Sequence, residues 1–270
     1  MSFISLTPWD LALASVLVVL LAVLSAGMRL GLSRQILVAA ARTTVQLVLV
    51  GFVLKAIFEH VHLGWMSVIA AVMLLAAGRE VIARQRRPLK GGWGFGVGAL
   101  SMFVSSFSVT LLALIVIIGG SPWYTPQYAI PLLGMLLGNT MTGIALGMGR
   151  LTESAWQQRA VIEQRLLLGQ TRDEAILELR KDSVRTGMIP IINAMAAAGI
   201  VSLPGMMTGQ ILAGSPPVEA VKYQILIMFL IAGGTGLGVM SAIWLTSRRL
   251  FDERHRLRLD RLRGTDVVNR

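Results

Sequence analysis

The stretch IPLLGMLLGNTMTGIALGM, residues 130–148, carries no charged side chain over its whole length. An apolar segment of about 20 residues crosses roughly 30 Å of hydrocarbon when it folds as a helix. Comparable runs recur along the 270-residue chain, which is 54% hydrophobic and only 14% charged, about half the charged share of a typical soluble domain. The sequence therefore predicts an all-α membrane protein that crosses the bilayer several times.

Seven transmembrane helices are predicted, and the charges between them indicate their orientation. The predicted spans are residues 9–28, 36–58, 63–83, 94–118, 127–149, 187–203 and 223–246. Of the 25 Lys and Arg residues, 22 lie in the segments 29–35, 79–92, 149–186 and 246–270. Because Lys and Arg concentrate in cytoplasmic loops, the N-terminus is expected outside and the C-terminus in the cytoplasm. The same distribution explains the net charge of +11 without a nucleic-acid partner.

The residue types inside the predicted spans argue against several classes of function. None of the 14 acidic residues falls near the middle of a span, whereas ion-coupled transporters usually need intramembrane carboxylates; a channel stays open as an alternative. Cysteine is absent, all three histidines lie outside the spans, and no HExxH motif occurs. We therefore predict that the chain is not an enzyme. Without a GxxxxGK[ST] motif, it is expected to bind no ATP or other cofactor itself.

The longest predicted cytoplasmic connection, residues 150–186, is rich in charge and has a recognisable break. Two short helices are predicted on either side of Gly169. After the glycine, Thr171 and Glu174 have the spacing of a capping box, in which each side chain satisfies the backbone N–H of the other residue. We interpret this segment as a rigid elbow that could transmit force; a solvated connecting helix is the alternative.

Two patterns in this elbow resemble those of permeases in ATP-binding-cassette (ABC) transporters. Glu163 followed by Gly169 is similar to the E-A-A-x-x-x-G loop through which such permeases dock onto their ATPase, although Gln164 and Arg165 replace the two alanines and Pro190 lies farther from the glycine. LLLGQTRDEA resembles their LGAT-x-x-x-A elbow. The resemblance implies that Glu163, Gly169, Thr171 and Glu174 couple the chain to a motor.

A longer resemblance identifies a family. IPLLGMLLGNTMTGIALGM, EQRLLLGQTRDEA and IVSLPGMMTGQILAGSPPVEAVKYQILIMFL resemble the FetB family of ABC permeases, which includes the plant STAR and aluminium-sensitivity proteins. The resemblance runs from about Arg42 to the end of the last span. It implies a permease that works with a separate cytoplasmic ATPase, where ATP binds. Bacterial relatives are associated with iron export, and plant relatives with aluminium tolerance and, for one pair, UDP-glucose transport.

The composition and the family resemblance together predict the organisation of the chain. Residues 1–270 are predicted to form one transmembrane permease domain in the plasma membrane (the bacterial inner membrane), with a coupling segment at 150–186 and a basic cytoplasmic tail at 247–270. The tail is interpreted as a helix beside anionic headgroups or as a solvated, frayed end. Because ABC motors hydrolyse ATP between two subunits and the chain offers one elbow, a homodimer is expected.

Candidate residues for the translocation path are the polar or irregular positions of the predicted spans. The candidates are Arg42, Gln46, Asn139, Asn193, Pro204, Gly205, Met206 and Met207. The four consecutive positions from Pro204 belong to residues 201–217, which break the sixth span and are expected to dip into the bundle, to cap it or to form an ordinary loop. Hydrogen bonding between helices and flexible methionine packing are the alternatives for single residues.

The cargo is less well defined by the sequence than the machinery. Ferrous iron prefers His and carboxylate ligands, and the predicted spans offer neither, so the metal ligands are unknown. Export of iron or another metal ion is the first hypothesis. The alternatives are export of a small organic molecule such as a nucleotide sugar, a channel, and a non-transporting membrane partner.

Overall fold

A computed structural model of the chain describes residues 7–59, 62–119 and 122–264. The described residues are predominantly helical and contain no β-strand, only three isolated β-bridges. The chain divides into two compact units, Met1–His62 and Leu63–Arg270. The all-α prediction is confirmed.

The first unit is a helical hairpin. Helix α1 is Pro8–Gly27 and helix α2 is Ser33–Glu59, close to the predicted spans 9–28 and 36–58. The hydroxyl of Ser33 donates to the carbonyl of Ala22 at 2.9 Å, which fixes the start of α2 against α1. Both helices are long and apolar enough to cross a membrane.

The second unit contains the remaining helices and two π-helical segments. In chain order they are α3 Leu63–Ala83, α4 Trp93–Met102, a π segment Phe103–Phe107, α5 Ser108–Leu112, a π segment Ala113–Ile118, α6 Pro126–Gln157, α7 Arg159–Leu167, α8 Arg172–Ala175, α9 Leu177–Ala197, α10 Gly205–Leu212 and α11 Pro217–Arg249. The run Trp93–Ile118 forms one apolar, membrane-length helical segment. The two π segments within it were not predicted from sequence.

Six helical segments of the described residues have the length and composition of membrane spans, and the predicted seventh corresponds to the second half of α9. The helix that carries the predicted span 187–203 is α9, which ends at Ala197, six residues before the predicted span does, and whose first half is the helix expected through ILELRKDSVR. The charged residues in the first half of α9 exclude this helix from the six membrane-length segments, which contain few charges. Pro190, the fourth residue of the predicted span, lies inside α9, where it removes a backbone hydrogen bond.

Helices α6, α9 and α11 pack along a seam of glycines. A Cβ on Gly143 would lie 2.8 Å from both the Gly187 carbonyl oxygen and the Val239 side chain, and one on Gly147 would lie 2.8 Å from Ile243 and 3.1 Å from the Ser183 carbonyl oxygen. These contacts make α6 antiparallel to α9 and parallel to α11. Since lipid is as apolar as the side chains, such close approach stabilises the bundle by van der Waals contact.

One end of the second unit, called here the basic end, carries the α3–α4 turn, α7, α8 and the residues after α11. The predicted tail helix is wrong for the described residues: α11 ends at Arg249, and residues 250–264, called the C-terminal segment, are mostly non-helical. Leu262 is buried and forms a bridge with Leu89, while Phe251 is buried and forms one with Leu257. The segment is thus packed against the bundle; residues 265–270 of the predicted tail lie outside the described part.

At the opposite end, residues 201–217 include a short helix. After α9 the chain makes a tight loop, in which the Gly199 N–H donates to the Ser202 carbonyl at 2.9 Å. Helix α10 follows, and none of its residues is buried. Met206 shares a small cavity with Ile227, which lies ten residues, roughly 15 Å by helical rise, into α11. The segment therefore folds back along α11.

Candidate functional site

The predicted break at Gly169 is the tip of a folded elbow, defined here as residues 159–176. Gly169 has φ +89°, a left-handed conformation that glycine adopts without penalty. Its N–H donates to the Leu166 carbonyl at 3.0 Å, and the Gln170 N–H donates to the Arg165 carbonyl at 3.1 Å. These two bonds form a Schellman motif, which ends α7 and reverses the chain.

The predicted capping box is present at the start of α8. The hydroxyl of Thr171 accepts from the Glu174 N–H at 3.4 Å, and the Glu174 carboxylate accepts from the Thr171 N–H at 2.8 Å and from its hydroxyl at 2.9 Å. The backbone hydrogen bond and then the hydroxyl bond lower the pKa of Glu174 below its usual value. The Glu174 carboxylate therefore fixes the conformation of the backbone at Thr171, two residues after Gly169.

The elbow has a buried base and an exposed apolar tip. At the base, Ile162, Ala175 and Ile176 are at most 1% exposed and belong to the main hydrophobic core. At the tip, Leu167 and Leu168 are 87% and 83% exposed. Two adjacent exposed leucines on a firmly packed base form a small apolar surface outside the predicted spans, which a partner protein could cover.

Side-chain bonds join the elbow to its surroundings. The Arg165 guanidinium donates to the Ala175 carbonyl at 3.1 Å, which ties α7 to α8. The Arg172 N–H donates to Nδ1 of His255 at 3.3 Å, so the C-terminal segment contacts α8. Glu163 is exposed on α7 and lines a cavity of about 490 Å³ with Asp260 and Leu262 of that segment. This contact between elbow and C-terminal segment was not predicted.

Polar side chains lie together on a second surface, formed by α6 and α9. Asn139 precedes Gly143 by one turn and Asn193 follows Gly187 by six residues. Because α6 and α9 are antiparallel and cross at these glycines, both asparagines lie toward the same end of the bundle. Thr142 and Thr186 lie nearer to the glycines, and Asp182 is toward the basic end. We call Asn139, Thr142, Asp182, Thr186 and Asn193 the polar face.

The polar face has unused hydrogen-bonding capacity at membrane depth. Asn139 and Asn193 are exposed. The Asn139 amide donates to the Met135 carbonyl at 2.8 Å within its own helix, while Asn193 makes no side-chain hydrogen bond with any described residue. Asn139 lies eleven residues, roughly 16 Å by helical rise, before the charged Arg150. Thr140, by contrast, is fully buried and within 3.5 Å of the Ser106 hydroxyl, so it packs helices together.

The other path candidates lie on α2 and at the start of α10. Arg42 and Gln46 lie one turn apart on α2, in the first unit. Pro204 is the N-cap residue of α10, and Gly205, Met206 and Met207 form its first turn. Met206 lines a cavity of about 30 Å³ with Tyr128 and Ile227, which is consistent with packing.

No metal site is evident in the residues that the structure describes. Within them, no three His, Asp or Glu side chains are grouped as a metal ion requires. Among the ionisable residues of α9, Asp182 neighbours Ser183, whose carbonyl faces Gly147, three residues before Arg150, and it pairs with Arg185 at 3.3 Å.

The fold defines a class before any comparison is made: a multi-pass α-helical membrane protein with a folded, charged elbow at one end. Residues 8–251 match the uncharacterised protein family UPF0014, and the chain belongs to that family. The bacterial members of the family support a location of this chain in the bacterial inner membrane.

Three relatives illustrate the range of the family. The chain is 40% identical to a UPF0014 membrane protein of Synechocystis over 84% of this chain and 87% of that protein. It is 33% identical to the probable iron export permease protein FetB of Escherichia coli over 96% and 98%, and 31% identical to Protein ALUMINUM SENSITIVE 3 of Arabidopsis thaliana over 91% and 88%. The predicted family is thereby confirmed. No solved structure matches the chain.

Proposed function

We propose that this chain is the membrane-spanning permease subunit of an ABC exporter. It acts as a homodimer and is driven by a separate cytoplasmic ATPase, which binds to the basic end. The proposed cargo is iron or another metal ion, moved out of the cytoplasm. The chain itself contributes no catalytic residue and no bound cofactor.

The observation that carries this proposal is the elbow with its exposed tip. Leu167 and Leu168 project from a turn that Gly169 and the Thr171–Glu174 capping box hold in one conformation. The base of the elbow belongs to the same core as α6 and α11. Movement of a partner bound at the tip would therefore be transmitted to the membrane helices. The E. coli relative is named a probable iron export permease, which is consistent with transport.

The polar face supports the participation of a second copy. Amide groups with unused hydrogen-bonding capacity are costly against hydrocarbon, so the exposed side of α6 and α9 needs water or protein opposite it. Two copies that face each other across this surface would enclose a path lined by Asn139, Thr142, Asp182 and Asn193. ATPase-driven closure of the two elbows would then open the path alternately to either side.

Reconstitution with the cognate ATPase tests the transport reaction. The proposal predicts ATP-dependent movement of ferrous iron across proteoliposome membranes, lost when Gly169→Val is introduced into a permease that still inserts. The matched control is Gly214→Val, because Gly214 lies after α10 at the other end, has a similar positive φ of +93° and has open space around it. ATP-independent flux would instead support a channel.

A second candidate cargo is a small organic molecule, such as a nucleotide sugar. It is favoured by the composition of the polar face, because amide and hydroxyl groups suit hydrogen-bonded ligands better than they suit ferrous iron. The same proteoliposomes distinguish the two cargoes. ATP-dependent movement of UDP-glucose without movement of iron would establish the organic cargo.

A further inference from the structure

The largest group of positive charges in the described second unit lines a cavity at the basic end, distinct from the elbow tip and from the polar face. The cavity has a volume of about 640 Å³ and lies between α11, the start of α4, α8 and the C-terminal segment. Its lining includes two acids, Asp252 and Glu253, and six arginines: Arg172, Arg248, Arg249, Arg254, Arg256 and Arg261. The lining therefore carries an excess of four positive charges.

Few of these arginines are neutralised by the protein. Asp252 pairs with Arg256 at 2.8 Å, and Arg172 lies 3.7 Å from Asp173. The other four arginines make no ion pair with any described residue. Arg261 donates to the carbonyls of Arg249 and Phe251 at 2.9 and 3.1 Å, which holds its charge beside the cavity. Positive charges collected in this way around one concavity attract an anion.

The depth of the cavity in the membrane is indicated by its tryptophans. The guanidinium of Arg249 lies 4.1 Å from the ring centre of Trp93, and that of Arg248 lies 4.1 Å from the ring centre of Trp244. Tryptophan concentrates at the boundary between hydrocarbon and water, and Arg249 is the last residue of a membrane-length helix. The cavity therefore lies at the level of lipid headgroups.

We propose that this arginine cavity binds a phosphate group, supplied by an anionic phospholipid headgroup or by a soluble phosphate compound. Guanidinium groups bind phosphate oxygens through paired, charge-assisted hydrogen bonds. Arginines from three parts of the chain meet here: Arg172 from α8, Arg248 from α11 and Arg254 from the C-terminal segment. A bound phosphate bridges all three, and it thereby fixes α8 to the last membrane helix.

Titration of the purified full-length protein in detergent tests the site. Short-chain phosphatidylglycerol, short-chain phosphatidylcholine and sodium phosphate are added separately while tryptophan fluorescence is followed, because Trp93 lines the cavity. The variant Arg248→Gln/Arg254→Gln removes two exposed arginines of the lining. Arg263→Gln is the matched control, since Arg263 is exposed in the same segment but outside the cavity.

Saturable binding of phosphatidylglycerol, weakened at least about tenfold in the double variant and unchanged in Arg263→Gln, supports the proposal and identifies a lipid headgroup. Saturation by sodium phosphate with the same variant dependence supports it and identifies a soluble phosphate compound. The proposal is overturned if neither anion saturates, if phosphatidylcholine binds equally well, or if Arg263→Gln weakens binding as much as the double variant does.

Discussion

The carbonyl oxygen of Gly187 lies 2.8 Å from the position that a Cβ atom would take on Gly143. This approach sets the distance between α6 and α9, and both helices also contact Val239 of α11 through these glycines. Any side chain at position 143 must therefore move one helix relative to the other two, and the polar face moves with it.

The variant Gly143→Ala tests this seam. We expect it to destabilise the bundle by about 1–3 kcal/mol through overpacking and to lower the melting temperature in detergent. Gly138→Ala on the same helix is the control, because a Cβ there meets nothing within 4 Å. Equal melting temperatures for the two variants would contradict the close packing of α6 on α9.

The capping box should govern the local stability of the elbow. Glu174→Ala removes the carboxylate that accepts from the Thr171 N–H, so we expect faster hydrogen exchange at residues 171–176. Thr171→Ala should have a similar effect, since loss of an N-cap costs roughly 0.5–2 kcal/mol. Glu163→Ala is the control, an exposed acid in the same elbow that takes no part in the cap. Unchanged exchange in both cap variants would show that the box contributes nothing.

Acid should weaken the same cap in a defined direction. The folded protein lowers the pKa of Glu174 from its usual value of 4.5, so the carboxylate stabilises the folded elbow when it is ionised. This contribution is complete above pH 4.5 and is lost as pH falls through the lower folded-state pKa. Hydrogen exchange of the elbow, measured from pH 6 downward, should accelerate relative to Glu174→Ala only below pH 4.5. Acceleration near pH 6 would contradict this assignment.

Asp252 should hold the turn at the start of the C-terminal segment in its folded conformation. Its carboxylate accepts from the Arg254 N–H and the Arg256 N–H, both at 2.9 Å, and from Nε of Arg256 at 2.8 Å. Asp252→Ala is expected to speed tryptic cleavage at the arginines of the segment. Glu253→Ala is the matched control, because it removes the same charge one residue later without removing a described hydrogen bond. Equal cleavage rates for Asp252→Ala and Glu253→Ala would contradict this role of Asp252.

The polar face should matter for transport more than for folding. Asn139→Ala and Asn193→Ala remove exposed amides that hold no helices together, so we expect unchanged melting temperatures and reduced ATP-dependent flux in proteoliposomes. Ser241→Ala is the control, because the half-buried Ser241 hydroxyl donates only to carbonyls of its own helix. Wild-type flux in both asparagine variants would remove this face from the path.

The elbow could be predicted because its signals are local. A glycine with positive φ followed by a capping box specifies a turn and a helix start within six residues, and Gly169, Thr171 and Glu174 adopt that geometry. The membrane spans could also be predicted, since composition over about 20 residues determines them. The end of α9 could not be predicted in this way, because residues 198–203 are as apolar as the helix before them and composition does not reveal that the chain leaves the helix there.

The C-terminal segment was misread for a different reason. In HRLRLDRLR, residues 255–263, the leucines at 257 and 259 alternate with charged residues, a period of two that favours extended chain over helix. The alternation is a local signal for extended chain, whereas the basic composition of the same residues favours a helix beside anionic headgroups. The contact of His255 with Arg172 and the burial of Leu262 depend on residues far apart in sequence, and no local pattern specifies them.

Site-specific crosslinking at the elbow tip shows whether an ATPase binds there. Because the chain has no cysteine, Leu168→Cys can carry a single photo-crosslinker in membranes of the native host. Val218→Cys, 67% exposed at the start of α11, is the control at the opposite end. We predict that Leu168→Cys captures a nucleotide-binding ABC subunit and that Val218→Cys does not. Capture of no such subunit at Leu168, or equal capture at both positions, would contradict the account.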